Sequence, residues 1–230
     1  MPSAKRFALP VLATLATVGL AVSIWQVFTV TPLADGLFWN QKIMYFHVGH
    51  AFMLFALVIV CAVCSAVFLK KRDPRWDDVA LAAAEIAVVM GAAVLITGSI
   101  WAKASPWDVW WKWEKRLTMS LLLWLSLVGY VMVRRFAGAG SERLAAAMAI
   151  FSAVGLYFIY TMVDATDSHP RAGANGVVAT LGPGMRGPFW LCVGTFALWT
   201  VVLVISRVST VRAEREVREL RERALDAGIL

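Results

Sequence analysis

The chain has 230 residues, of which 60% are hydrophobic and only 16% are charged, and its mean hydropathy is +0.70. This composition excludes an ordinary soluble domain, because too few polar residues are present to cover its surface. The net charge of +7 does not indicate a nucleic-acid-binding protein, since the basic residues are scattered between apolar segments instead of gathered on one face.

Six stretches without any charged residue have lengths close to the ~20 residues that a helix needs to cross a bilayer. They are residues 7–34, 43–69, 86–102, 117–133, 144–163 and 187–206. The sequence therefore predicts an all-α, polytopic integral membrane protein with six transmembrane helices. The first stretch follows Lys5 and Arg6 as in a signal peptide. We interpret it as a retained span, because it is longer than the usual ~7–15-residue apolar region and lacks a clear cleavage site.

The distribution of basic residues predicts the orientation. With six spans the two termini share a side, and the loops and tails on that side carry 15 Lys and Arg residues, against 7 in the other loops. The positive-inside rule therefore predicts that both termini are cytoplasmic. Three features then share the outer side: His47, the tryptophan-rich segment 101–113, and His169.

Three side chains inside the predicted spans have simple structural interpretations. Cys61 and Cys64 form a C-x-x-C pair within an apolar span, which favours packing over thiol chemistry. Ser65 follows this pair, so the C-x-x-C-H signature of covalent haem attachment is absent. Glu85 lies near the cytoplasmic end of span three, where pairing or snorkelling at the interface is favoured over a functional buried acid.

The connector between spans three and four is unusually rich in tryptophan. Five of the eleven tryptophans fall within thirteen residues: Trp101, Trp107, Trp110, Trp111 and Trp113. An interfacial aromatic belt accounts for only one or two indoles per boundary. Trp107, Trp110 and Trp111 have i, i+3, i+4 spacing, which predicts that their indoles share one helical face. Such a flat apolar surface suits a large planar ligand. Lys103, Lys112, Lys115 and Arg116 can meet either that ligand's carboxylates or lipid phosphates.

All three histidines belong to the predicted outer side. His47 and His169 lie on separate elements that flank the tryptophan segment. Haem requires this combination of axial imidazoles, an aromatic surface and cations for its propionates. His50 lies one turn after His47 and is expected to face the same way, as a reserve ligand or as part of the pocket lining. A zinc site is disfavoured, because no acidic residue is suitably spaced to complete it.

The end of the chain has the pattern of a charged helix. Glu and Arg alternate at i, i+4 spacing beyond Arg207, with a weak apolar stripe. We expect a membrane domain over residues 1–208, with its outer haem-binding segment at 101–118, and a cytoplasmic C-terminal helix over 209–230. That helix is either solvated or docks a partner.

Several segments resemble one family. Residues 98–103 (GSIWAK) and 107–118 (WDVWWKWEKRLT) are similar to the tryptophan-rich "WWD" signature of haem-handling proteins of cytochrome c biogenesis. The six-span member, the cytochrome c maturation protein C or haem exporter protein C family, fits this length. Residues 42–48 (KIMYFHV) resemble the family's segment around its first histidine, and His169 with residues 184–188 resembles its last outer loop.

The resemblance implies a non-enzymatic haem handler in the bacterial inner membrane. It binds b-type haem transiently at the periplasmic face and presents it to a periplasmic haem chaperone. Further partners in the family are a small single-span protein and an ABC-type transporter. The implied iron ligands are His47 and His169, and the other implied haem-binding residues are Trp101, Trp107, Trp110, Trp111, Trp113, Glu114 and Arg116.

The chain departs from the family pattern at several positions. Asp108 stands where the family usually has Gly, Glu114 where it has Asp, and Gly49 where Pro is common. A tryptophan pair that often precedes the second histidine is missing before His169. Three alternatives stay open: a haem handler of another cytochrome c assembly route, a membrane electron-transfer cytochrome, and a small-solute permease.

Overall fold

The structure is a computed structural model that describes residues 3–34, 38–138, 140–161 and 176–228, with side chains described from Phe7 onward. Within these ranges the fold consists of six α-helices: α1 Ser3–Trp25, α2 Lys42–Lys71, α3 Pro74–Ala104, α4 Lys115–Phe136, α5 Ser141–Thr161 and α6 Arg186–Asp226. A π-helical turn at Gln26–Val30 extends α1, and a 3₁₀ turn at Phe38–Gln41 leads into α2.

All six helices are long and apolar enough to cross a membrane. No strand occurs within the ranges just given. The predicted all-α architecture with six membrane-spanning helices is therefore confirmed.

The core is organised around α3, which contacts α2, α4, α5 and α6. One stretch of α3 is rich in small residues that are fully buried, namely Ala80, Ala82, Ala83, Ala84 and Ala87. Small side chains allow helices in a membrane to approach closely, and packing is then the main source of their association. The same hydrophobic core contains larger buried residues, among them Leu57 and Val58 of α2 and Leu127 and Tyr130 of α4.

The turn between α2 and α3 follows directly from its sequence. Arg72 ends α2 in a left-handed conformation with φ of 58°, and its N–H donates to the Phe68 carbonyl oxygen at 2.8 Å. Asp73 caps α3 by accepting a hydrogen bond from the Arg75 N–H at 2.9 Å. Pro74 is the first residue of α3, a position where a proline has no hydrogen bond to lose.

Ion pairs join the helices at one end of the bundle, which we call the arginine end (residues 70–85, 130–143 and 203–226). Arg134 of α4 donates to Asp77 of α3 at 2.6 Å. Glu85 of α3 accepts from Arg135 of α4 at 2.8 Å and also from Arg207 of α6. Glu85 thus bridges three helices, as expected for an acid paired near the interface.

Helix α6 continues without a break through the predicted domain boundary at 208/209. Beyond that boundary, Arg215 donates to Asp78 of α3 at 2.8 Å. The beginning of the C-terminal extension is therefore attached to the membrane bundle by its charges.

The three cysteines have no disulfide partner and are buried. Cys61 and Cys64 belong to the apolar core around α2 and α3, and Cys192 belongs to a second cluster with Tyr45 and Phe189. This environment agrees with the interpretation of the C-x-x-C pair as packing residues.

Candidate functional site

The opposite end of the bundle carries eight of the eleven tryptophans, and we call it the tryptophan end (residues 25–50, 97–118 and 176–190). The start of α2 is fastened there to its neighbours. Asn40 donates to the Trp101 carbonyl oxygen at 3.3 Å, which ties the 3₁₀ turn to α3. Buried Lys42 donates to the Thr31 carbonyl oxygen at 2.5 Å, and Gln41 accepts from the Ala34 N–H at 2.9 Å. These bonds fix the position of α2 relative to α3 and to the preceding segment.

His47 is held against α3 one helical turn before Trp101. Its Nδ1 lies 3.0 Å from the Thr97 hydroxyl oxygen. Its ring also lies beside Gly98, where an added Cβ would be only 3.1 Å from the ring carbon Cε1. The imidazole is thereby positioned between α2 and α3, below the tryptophan segment.

His50 is directed toward a different helix. Its Nδ1 lies 2.7 Å from the Phe46 carbonyl oxygen, and its ring packs on Phe196 of α6 with centroids 4.2 Å apart. The expectation that it faces the same way as His47 is therefore wrong. The two residues are three apart on α2, which rotates their side chains by about 60°, and α3 and α6 pack on these two sides.

The tryptophan connector is not helical between residues 105 and 114. Asp108 has a positive φ of 50°, which interrupts any continuous helix through the segment. The predicted single helical face of Trp107, Trp110 and Trp111 is therefore wrong. Four of the five indoles instead form two edge-to-face pairs.

Trp101 packs on Trp107 at a centroid distance of 5.4 Å and an interplanar angle of 83°. Trp111 packs on Trp113 at 5.8 Å and 74°. Trp110 and Trp113 remain 61% and 76% exposed, so the segment presents aromatic surface outward.

A shallow cavity of about 430 Å³ adjoins this segment. Phe38, Trp39, Asn40 and Ile43 line one side, and residues 104–106 line the other. Phe38 and Trp39 are themselves largely exposed. The tryptophan end therefore exposes aromatic side chains both in the 3₁₀ turn that lines this cavity and in the tryptophan segment beside it.

Charged side chains of the segment are engaged with one another. Lys103 donates to the Asp108 carboxylate at 2.6 Å, and this hydrogen bond lowers the pKa of the Asp108 carboxyl from its ordinary value. Lys112 forms an ion pair with Glu114 at 2.8 Å and lies over the Trp107 ring, 4.9 Å from its centroid. Glu114 thus holds a cation beside the indoles.

Of the residues predicted from the sequence, His47, Glu114, Arg116 and the five tryptophans all lie at the tryptophan end. His169 lies outside the described residues. Sequence reasoning missed Thr97 and Asn40, which contact His47 and Trp101, and it included Gly98 only as the first residue of the GSIWAK segment. The only available signal for Thr97 was its place one turn before Trp101.

The donor set fits haem. The Thr97 hydroxyl donates to the Ala93 carbonyl oxygen at 2.6 Å, so it accepts from the Nδ1–H of His47 and leaves the ring's lone pair on Nε2, as a metal ligand requires. The Trp111 indole Nε1 is buried and has no hydrogen-bond partner among the described residues. Exposed indoles add flat apolar surface.

The fold defines a multi-pass membrane protein, one end of which carries exposed indoles and a histidine held between two helices. The family model "Heme exporter protein C" matches residues 2–223, and the chain belongs to this family. The resemblance found in the sequence is thereby confirmed. Family membership connects the chain with haem handling in cytochrome c biogenesis.

Individual relatives agree with the family match. The heme exporter protein C of Paracoccus denitrificans is 28% identical over 210 residues, which are 89% of this chain and 82% of that protein. That of Bradyrhizobium diazoefficiens is 29% identical over 218 residues, covering 93% and 82%. A ccmC-like mitochondrial cytochrome c biosynthesis protein of Marchantia polymorpha is 30% identical over 122 residues, covering 53% and 51%.

Proposed function

We propose that the protein receives haem at the periplasmic face of the bacterial inner membrane and delivers it to a periplasmic haem chaperone. In this proposal His47 and His169 bind the iron of a transiently held b-type haem. The tryptophan segment, with Glu114 and Arg116, holds the porphyrin. A small single-span protein and the subunits of an ABC-type transporter are the proposed membrane partners.

The observation that carries the proposal is the position of His47. It contacts Thr97, which precedes Trp101 by one turn, or about 6 Å, of helix α3, and its Nδ1 lies 3.0 Å from the Thr97 hydroxyl oxygen. Histidines that bind metals are commonly oriented through the ring nitrogen that does not bind the metal, as Nδ1 of His47 is by Thr97. Because the exposed indoles follow directly in the chain, a porphyrin bound at His47 can extend toward them.

Exposure of the tryptophans is consistent with release of the ligand. Trp110 and Trp113 are not enclosed by the bundle. A well-formed aromatic pair contributes about 0.5–1.5 kcal/mol beyond simple burial. This is enough to orient a ring without trapping it, as a carrier that must pass its cargo to an acceptor requires.

The experiment titrates hemin into the purified chain in detergent and records the visible spectrum. We expect a low-spin, bis-imidazole spectrum in the wild type. Replacing either ligand, in His47→Ala or His169→Ala, should lower hemin affinity by at least about tenfold, the scale on which even outer-shell partners of metal ligands act. His50→Ala is the matched control and should keep the wild-type spectrum, because its ring packs on Phe196.

Delivery of haem to the chaperone is tested in the cells that produce these variants. The double variant Trp110→Ala, Trp111→Ala should keep a low-spin spectrum but lower the amount of haem-loaded chaperone in the same cells. Trp190→Ala is the control, since Trp190 is exposed at the same end but belongs to α6. Wild-type spectra and affinities in both histidine variants would refute the ligand assignment, and normal chaperone loading in the double tryptophan variant would refute the role in transfer.

A further inference from the structure

Thr97 and Gly98 contact His47 from α3. The Thr97 hydroxyl oxygen lies 3.0 Å from His47 Nδ1. A Cβ placed on Gly98 would lie 3.1 Å from the ring carbon Cε1 and 3.7 Å from Nδ1. One residue therefore supplies a polar contact to the ring, and the next leaves the room that the ring occupies.

The direction of the hydrogen bonds follows from the count of protons. The Thr97 hydroxyl has one proton, and its oxygen lies 2.6 Å from the Ala93 carbonyl oxygen and 3.3 Å from that of Val94. A carbonyl oxygen only accepts, so the Thr97 hydroxyl proton points toward these two carbonyl oxygens. The hydroxyl oxygen must then accept from His47, which places the ring proton on Nδ1 and the lone pair on Nε2.

A hydrogen bond of this kind changes the properties of a metal ligand. It fixes the tautomer, restricts rotation of the ring and makes the ligating nitrogen more basic. A more basic imidazole stabilises ferric over ferrous iron, so it lowers the reduction potential.

The geometry points to Thr97 as the positioning residue of His47: its hydroxyl holds the imidazole in the tautomer that offers Nε2 to iron, and Gly98 provides the space for the ring. This inference rests on the proposed function, because it gives His47 the role of an axial ligand. Thr97 itself does not touch the ligand. It acts through His47.

The test compares Thr97→Val, which keeps the shape of the side chain but removes the acceptor, with Thr97→Ser, which keeps the hydroxyl. In Thr97→Val we expect hemin affinity to fall about 10- to 100-fold, the midpoint potential to rise, and the low-spin electron paramagnetic resonance signal to shift. Thr97→Ser should stay close to the wild type. Thr200→Val is the control, since its buried hydroxyl also donates to a carbonyl one turn earlier, that of Phe196.

Gly98→Ala examines the same contact independently, because it keeps the hydroxyl but crowds the ring. It should shift the low-spin signal and weaken hemin binding. Wild-type affinity, potential and signal in Thr97→Val would overturn the inference, as would a defect in Thr97→Ser equal to that in Thr97→Val. If His47→Ala also binds hemin normally, the proposed ligand is wrong as well. If hemin binding is weakened only in His47→Ala, the proposed function is supported and the positioning role of Thr97 is refuted.

Discussion

Asp108 adopts a backbone conformation that few residues tolerate. Its φ of 50° belongs to the left-handed region, where glycine is favoured and Asp and Asn are the usual substitutes. Glycine is the residue that the resembling family usually has at this position. The departure is therefore compatible with the same backbone path, and the side chain adds an ion pair to Lys103.

Substitutions at Asp108 should separate backbone conformation from charge. Asp108→Gly should bind hemin as well as the wild type, because the exposed ion pair contributes little. Asp108→Val should bind about tenfold more weakly, because a β-branched residue resists positive φ. Hemin titration measures the difference, and protease sensitivity between residues 105 and 114 reports the loop. Equal affinities of the Gly and Val variants would show that the backbone conformation is unimportant.

Residue types and the local concentration of tryptophan were enough to predict most of the candidate site from the sequence. The concentration of tryptophans and the position of His47 beside a span are visible in the sequence. The contact of His47 with Thr97 is not, because it joins residues fifty positions apart on two helices whose relative rotation depends on packing. The prediction of one helical face for the tryptophans was wrong for a local reason, because residue spacing does not reveal the positive φ of Asp108.

Helices α3 and α4 are joined by a buried ion pair between Asp77 and Arg134. Their side chains are only 9% and 8% exposed, so removing Arg134 leaves the Asp77 charge buried without this partner. The predicted spans of these two helices followed from uncharged stretches alone. Their mutual attachment did not, because it depends on charged residues that flank those stretches.

A double-mutant cycle tests this attachment. Arg134→Met should lower the free energy of unfolding by about 3–5 kcal/mol, the usual cost of breaking a buried pair. Adding Asp77→Asn should restore much of the loss, because no buried charge is then left alone. Thermal unfolding in detergent, followed by tryptophan fluorescence, provides the measurement.

Glu219→Gln is the control for this cycle. Glu219 is half exposed and contacts Arg215 and Arg223 only at 3.8 and 3.9 Å, so its removal should change stability by less than about 1 kcal/mol. A double variant no more stable than Arg134→Met would argue against the pairing.

For the whole molecule, the structure supplies two chemically different ends. One end has ion pairs among Asp77, Asp78, Glu85 and arginines of α4 and α6, and the other has exposed aromatic rings. The count of basic residues predicts which end is cytoplasmic. The six-helix architecture was predictable because uncharged length is a strong signal for a membrane span.

The orientation can be tested with single cysteines in a background without Cys61, Cys64 and Cys192. Val109→Cys lies in the exposed part of the tryptophan segment, and Lys71→Cys lies at the exposed end of α2. A membrane-impermeant maleimide added to intact spheroplasts should label Val109→Cys only. Both should react after detergent treatment, which controls for accessibility. Labelling of Lys71→Cys in intact spheroplasts would reverse the predicted orientation.

Helix α6 has a geometric consequence for the whole molecule. Its 41 residues form a rod about 60 Å long, roughly twice the thickness of the hydrocarbon core. Phe196, which touches His50, and Arg215, which binds Asp78, are about 28 Å apart on this rod. Each added or deleted residue between them would turn one contact by about 100° relative to the other. Because this helix is continuous, its length and twist fix the position of the Phe196–His50 contact relative to the Arg215–Asp78 ion pair.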